Sequence, residues 1–213
     1  DIAFHDLLGL ATGQPLHRLL GGYRSRIQTS ITVSVAPVDE TVAMARERAR
    51  LGFRILKLKG GLDAAEDVRR VHAVCDALPG ITVRLDADGG YSVEEAIDVA
   101  RALEGRIEML EQPVAPAGAP AGAASSVQHL RAVTEQSPVP ILADQSAVGA
   151  ASALEIAGAH AADGISIKLA TSGGIGHAQQ MDAIARAAHL STMVGCVHEP
   201  ALLIAAELAF ALS

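Results

Sequence analysis

Residues 54–61 read Arg-Ile-Leu-Lys-Leu-Lys-Gly-Gly, and their alternation decides the fold. Ile55, Lys57 and Lys59 fall on one face of a strand, Leu56 and Leu58 on the other. Two lysines at the end of an apolar strand, followed at once by Gly60-Gly61, point into one small space. Alone, the segment also suits an edge strand guarded by lysines. The rest of the chain changes that reading, because Asp86, Glu111, Asp144 and Lys168 stand at the ends of later strands.

Outward from this strand the pattern repeats. Before it come a helix over residues 3–20, interrupted near Pro15 and closed by Gly21-Gly22, then a strand over 28–35 and a helix from Asp39 to Leu51 stopped by Gly52. After it, Asp63 with Glu66 and Ser92 with Glu95 have the spacing of helix N-terminal caps, as does Ser152 with Glu155. Strands are predicted over 81–86, 107–111, 141–144, 164–169 and 192–197. Helices are predicted over 127–135, from about Gly176 to Leu190, and from Pro200 to Leu212. Residues 113–126 are rich in Ala, Gly and Pro and read as a loop.

The strand-end polar residues recur at roughly the 30-residue repeat of a βα unit. Unbroken βα alternation predicts a parallel sheet, and polar residues at successive C-terminal strand ends predict a (β/α)8-type TIM barrel. A doubly wound open sheet is the alternative, but it would gather ligands at one switch point. Seven strands are legible where a barrel needs eight, so the last strand is expected beyond residue 213. We divide the chain into a helical lead-in, 1–22, and an incomplete barrel domain, 23–213.

Half the residues are hydrophobic but only 2% are aromatic, which suits an Ala/Val/Leu/Ile core. The net charge is −7 with no basic run, so no nucleic-acid or membrane partner is expected. Cys75 and Cys196 make no disulfide framework, and a cytoplasmic setting is expected.

Three converging carboxylates repel one another unless a cation joins them. Oxygen-only donors suit Mg²⁺, with Mn²⁺ as a second option, so Asp86, Glu111 and Asp144 are the candidate metal ligands. Each alone also suits a helix cap. Lys59 and Lys168, on strands two and six of eight, are expected across the barrel from each other, one for each face of a substrate. A lysine near a cation and shielded from water has a lowered pKa and can serve as a base. Lys168 also suits a buried salt bridge.

Lys57-Leu-Lys59, Asp86-Ala-Asp88, Glu111-Gln-Pro113, Ala143-Asp-Gln-Ser146 and Lys168 followed by Gly173-Gly174 together resemble the enolase superfamily, most closely its muconate-lactonizing subgroup. The resemblance implies that Asp86, Glu111 and Asp144 bind Mg²⁺, that Lys59 and Lys168 are the acid/base pair, and that Lys57 neutralises a substrate carboxylate or enolate. Thr32-Val-Ser-Val35 and Met193-Val-Gly-Cys-Val-His-Glu199 are similar to dipeptide (L-Ala-D/L-Glu) epimerases, which nominates Thr32, Cys196 and Glu199 as substrate contacts. The implied enzyme is an isomerase, a cytoplasmic homo-oligomer acting on a small molecule by abstracting and returning the proton alpha to a carbonyl through a metal-stabilised enolate. Muconate cycloisomerisation, o-succinylbenzoate synthesis, N-acylamino acid racemisation and a non-catalytic barrel fragment are the alternatives. Asp88 stands where the family often has Asn, Gln145 where it usually has Glu, and His198 where an apolar residue is expected. The family's N-terminal capping domain and its loop after strand eight, which set specificity, are not in this sequence.

Overall fold

The computed structural model describes residues 1–22, 24–116 and 126–213. Residue 23, the expected start of the barrel, and residues 117–125 of the expected 113–126 loop lie outside them. In chain order the elements are α1 (Ile2–Thr12), α2 (Leu16–Leu19), β1 (Ile31–Val33), α3 (Val38–Arg50), β2 (Ile55–Lys59), α4 (Ala64–Ala77), β3 (Thr82–Asp86) and α5 (Val93–Ala102). They continue as β4 (Leu110–Glu111), α6 (Ser126–Thr134), β5 (Ile141–Ala143), α7 (Ala150–Ala159), β6 (Gly164–Ile167), α8 (Leu169–Ser172), α9 (Ile175–Ala187), β7 (Ser191–Val194) and α10 (Ala201–Ala211).

One compact unit comprises residues 29–146 and 158–164. Its five strands, β1 to β5, pair in parallel with each neighbour in chain order. No strand order reverses in this unit, as it would at the switch point of a doubly wound sheet, so residues at successive strand ends become neighbours. Leu56 and Leu58 of β2, Val83 and Leu85 of β3, Leu110 and Ile141 are buried. Burying each such leucine contributes about 1.5–3 kcal/mol. Local chemistry sets the helix ends. α3 carries Asp39 and Glu40 in its first turn and Arg48 and Arg50 in its last, matching the helix dipole. The Asp63 carboxylate accepts from the Glu66 amide to start α4. Ser92 and Glu95 form a full capping box on α5.

The other unit comprises residues 1–28, 147–157 and 165–213. The Gly195 amide donates to the Ile167 carbonyl, tying the end of β7 to that of β6. Gly22 packs against the backbone of His17 and Leu212 so closely that a Cβ would stand 2.4 Å from the His17 carbonyl oxygen.

Several boundaries differ from the sequence reading. The first helix breaks at Gly13, which adopts φ 63°, and Pro15 starts the second piece. β1 and β4 are shorter than predicted; the Ile107 amide bonds to Leu103 at the end of α5 and does not join the sheet. β7 ends at Val194, short of Val197. Ser152 lies inside α7, where its hydroxyl bonds back to Gly149, so it is not the N-cap. α8, directly after Lys168, was not legible, since four residues carry no periodicity.

Candidate active site

The register of the parallel strands builds the first cluster. Lys59 stands opposite Asp86, and Asp86 opposite Glu111. The Lys59 amine lies 2.9 Å from Asp86 Oδ2 and 2.8 and 2.7 Å from the two Asp88 oxygens. The Lys57 amine lies 2.8 Å from Asp86 Oδ2 and 3.2 Å from Glu111 Oε2. The side chains of Asp86 and Glu111 are fully buried, while that of Asp88 is 45% exposed. Asp144, at the end of β5, is 4% exposed. Thr32, nominated for substrate, pairs in register with Lys57 and is exposed.

Electrostatics follow from this burial. Burial pushes the Glu111 carboxyl up, the charges of Asp86 and Asp144 push the same way, and Lys57 only partly opposes them; it ends at about 7. Burial would also raise Asp86, but Lys57 and Lys59 outweigh it and hold its carboxyl below the usual range. Both lysines respond to burial and to the carboxylates beside them. Burial does lower both, yet Glu111 and Asp86 raise Lys57, and Asp88 and Asp86 raise Lys59, by more. The chain's own groups therefore keep both amines charged, and a base role needs something that takes the carboxylates away from them.

The donor set suits a hard divalent cation. It is oxygen-only and buried, and Glu111 carries excess repulsion from two carboxylates. Among the described residues, however, no three His, Cys, Asp or Glu side chains converge closely enough to hold a metal as they stand. The Lys57 and Lys59 amines cap Asp86 and Glu111 instead.

Gln112 and Gln145 directly follow the candidate ligands Glu111 and Asp144. Gln112, with φ 37° and full burial, accepts from the Asp144 and Ser146 amides at 2.9 and 3.1 Å. Its amide donates to the Val114 carbonyl at 2.7 Å and the Ser146 hydroxyl at 2.9 Å. It thereby sets the turn that presents Asp144. Gln145 donates to Asp88 at 3.0 Å, so the two departures from the family pattern touch each other.

The second cluster lies in the other unit. Lys168 directly follows β6 as the N-cap residue of α8, and a Cβ on Gly195 would stand 3.0 Å from Lys168 Cε and 2.8 Å from the Ser166 hydroxyl. Cys196 and His198 are exposed. Glu199 accepts from the Val197 amide at 3.1 Å. Glu207 of α10, absent from the sequence reading, is buried beside Glu199 and Lys168. Burial first, then Glu199, pushes its carboxyl up to about 8. A single Glu on an apolar helix, itself a deviation from the pattern, was the available signal.

Residues 40–213 match the enolase C-terminal domain-like family. The chain is 38% identical over 216 residues to the L-Lys-D/L-Arg epimerase of Methylococcus capsulatus, covering 100% of this chain and 58% of that protein. It is 34% identical over 203 residues to the L-Ala-D/L-Glu epimerase of Clostridium acetobutylicum, covering 93% and 54%. Among solved structures it is similar to the dipeptide epimerase from Enterococcus faecalis complexed with Mg and the dipeptide L-Leu-L-Tyr, with TM-score 0.93, 34% identity, and 100% and 58% of the two chains covered. The chain thus spans a little over half the length of the curated relatives it matches. No helix among the described residues is long and apolar enough to cross a membrane.

Proposed function

The chain belongs to the enolase C-terminal domain-like family, an α/β barrel-type fold, and on that premise we propose that it is the catalytic barrel of a Mg²⁺-dependent dipeptide epimerase. The observation that carries this reading is the contact of the Lys57 and Lys59 amines with the buried strand-end carboxylates Asp86 and Glu111. Asp86, Glu111 and Asp144 would hold Mg²⁺, whose positive charge offsets the negative charge that develops on the substrate oxygen when the alpha proton leaves. Lys59 takes that proton from one isomer and Lys168 from the other, each returning a proton when the partner has acted as base. Lys57 offsets charge on the substrate carboxylate. Thr32, Cys196 and Glu199 contact the dipeptide. The amines of Lys57 and Lys59 share oxygens with the metal donor set, so they lose proton affinity as that set fills. Relatives named as dipeptide epimerases, one of them solved with Mg and a dipeptide, support the substrate class. The same reading places the enzyme in the cytoplasm.

The test is NMR of L-Ala-L-Glu, L-Leu-L-Tyr and L-Arg-D-Lys in D₂O with the protein and Mg²⁺. At least one should gain deuterium at the alpha carbon of its second residue together with the inverted isomer, and chelation should stop both. Absence of exchange and inversion with all three, in folded Mg²⁺-loaded protein, overturns the reading.

A further inference from the structure

The end of β2 is gripped from behind by charged side chains that the mechanism does not use. Arg70, on α4, is 1% exposed, and its Nη2 donates to the Lys59 carbonyl at 2.6 Å. Its Nη1 donates to Asp67 Oδ1 at 2.5 Å and its Nε to the Thr41 hydroxyl at 3.2 Å. The other Asp67 oxygen accepts from the Gly61 amide at 2.7 Å and from the Tyr91 hydroxyl at 2.6 Å. One buried pair therefore holds the carbonyl of residue 59 and the amide of residue 61. The fit between them is tight, since a Cβ on Gly60 would stand 2.6 Å from Asp67 Oδ2. Gly61, at φ 91°, lies against the next turn, where its own Cβ would stand 2.0 Å from the Ala87 carbonyl oxygen. That turn carries Asp88, which also holds the Lys59 amine.

We propose that Asp67 and Arg70 are positioning residues for Lys59, fixing through its own backbone and the Gly60-Gly61 turn where the amine stands. A buried pair placed for stability alone does not need to spend a guanidinium arm and a carboxylate oxygen on the two backbone groups flanking Gly60. Lysine cannot replace Arg70, because one ammonium cannot reach three acceptors served by three separate nitrogens. The proposal rests on the reading of Lys59 as an acid/base residue for one substrate isomer.

The experiment measures alpha-proton exchange in D₂O for both isomers of whichever dipeptide the Mg²⁺-loaded enzyme turns over, starting from L-Ala-L-Glu and L-Ala-D-Glu. Lys59→Ala first identifies the isomer that Lys59 serves. Arg70→Lys should then slow exchange from that isomer at least tenfold and from the other isomer less than twofold. Gly60→Ala, which wedges the turn off Asp67 and leaves no buried charge unpaired, should show the same asymmetry, so the proposal stays testable if Arg70→Lys does not fold. Equal losses on both isomers in the folded variant would mean a merely structural role, and unchanged exchange would mean no role; either overturns the positioning. If Lys59→Ala affects both isomers alike, the two-base reading falls and the proposal with it.

Discussion

Lys59 and Asp86 occupy the same register position on adjacent parallel strands, and their side chains meet at 2.9 Å. The ion pair is a product of sheet register, since slipping β2 by one residue would turn Lys59 to the leucine face. Lys57, two residues back on the same face, reaches the same Asp86 oxygen at 2.8 Å. Two amines on one carboxylate oxygen make Asp86 the hinge of the cluster.

The first prediction concerns that cluster's affinity for metal. Glu111→Gln removes the carboxylate that suffers most from its neighbours, and Mg²⁺ affinity should fall at least tenfold while the melting temperature without Mg²⁺ holds or rises. Calorimetric titration giving an unchanged Mg²⁺ affinity would take Glu111 out of the ligand set.

Two-base chemistry makes a stereochemical prediction. Lys59→Ala should stop alpha-proton exchange from one dipeptide isomer and Lys168→Ala from the other, each leaving residual exchange from the isomer it does not serve. Loss confined to the same isomer in both variants would favour one-base reactions such as cycloisomerisation.

Gln112→Leu should be strongly destabilising. It leaves the buried Asp144 and Ser146 amides without acceptors, at about 1–3 kcal/mol each. Gln145→Ala, which removes one bond to the exposed Asp88, should cost about 1 kcal/mol or less. Urea unfolding of the two variants in parallel checks the contrast, and equal losses would contradict the burial argument.

Glu207 predicts a pH dependence of stability. Its carboxyl rises on folding from an ordinary 4.5 to about 8, so the folded protein binds its proton more tightly than the unfolded chain. That contribution is complete below pH about 4.5 and is lost as pH rises through about 8. Raising the pH from 5 to 9 should lower the melting temperature of the wild type more than that of Glu207→Gln. Parallel pH profiles for the two proteins would show that Glu207 does not carry the effect.

Gly195→Ala should disturb Lys168 selectively. The added methyl meets the Ser166 hydroxyl at 2.8 Å and Lys168 Cε at 3.0 Å. Exchange from the isomer that depends on Lys168 should fall, and Ser166→Ala should restore part of it by vacating one of the two contacts. A double variant no better than Gly195→Ala would show that Lys168 itself is the obstacle.

By itself the sequence determined the alternation of strands and helices, the lysine and leucine faces of β2, the Ser92–Glu95 cap, and the placing of Lys57, Lys59, Asp86, Glu111, Asp144 and Lys168 at strand ends. These are local properties, because a period of two, a cap three residues from its partner and an acidic residue closing an apolar run lie within a few residues of each other. Tertiary structure decided what each of those groups faces. It paired Lys59 with Asp88 as well as Asp86, joined Asp88 to Gln145, wrapped Gln112 around the turn that carries Asp144, and set Arg70 behind Lys59. It also brought to Lys57 and Lys59 the carboxylates that raise the proton affinity of both amines. The reason is that a charge responds to every group within a few ångströms, and those groups come from strands and helices whose separation along the chain leaves no local pattern to read.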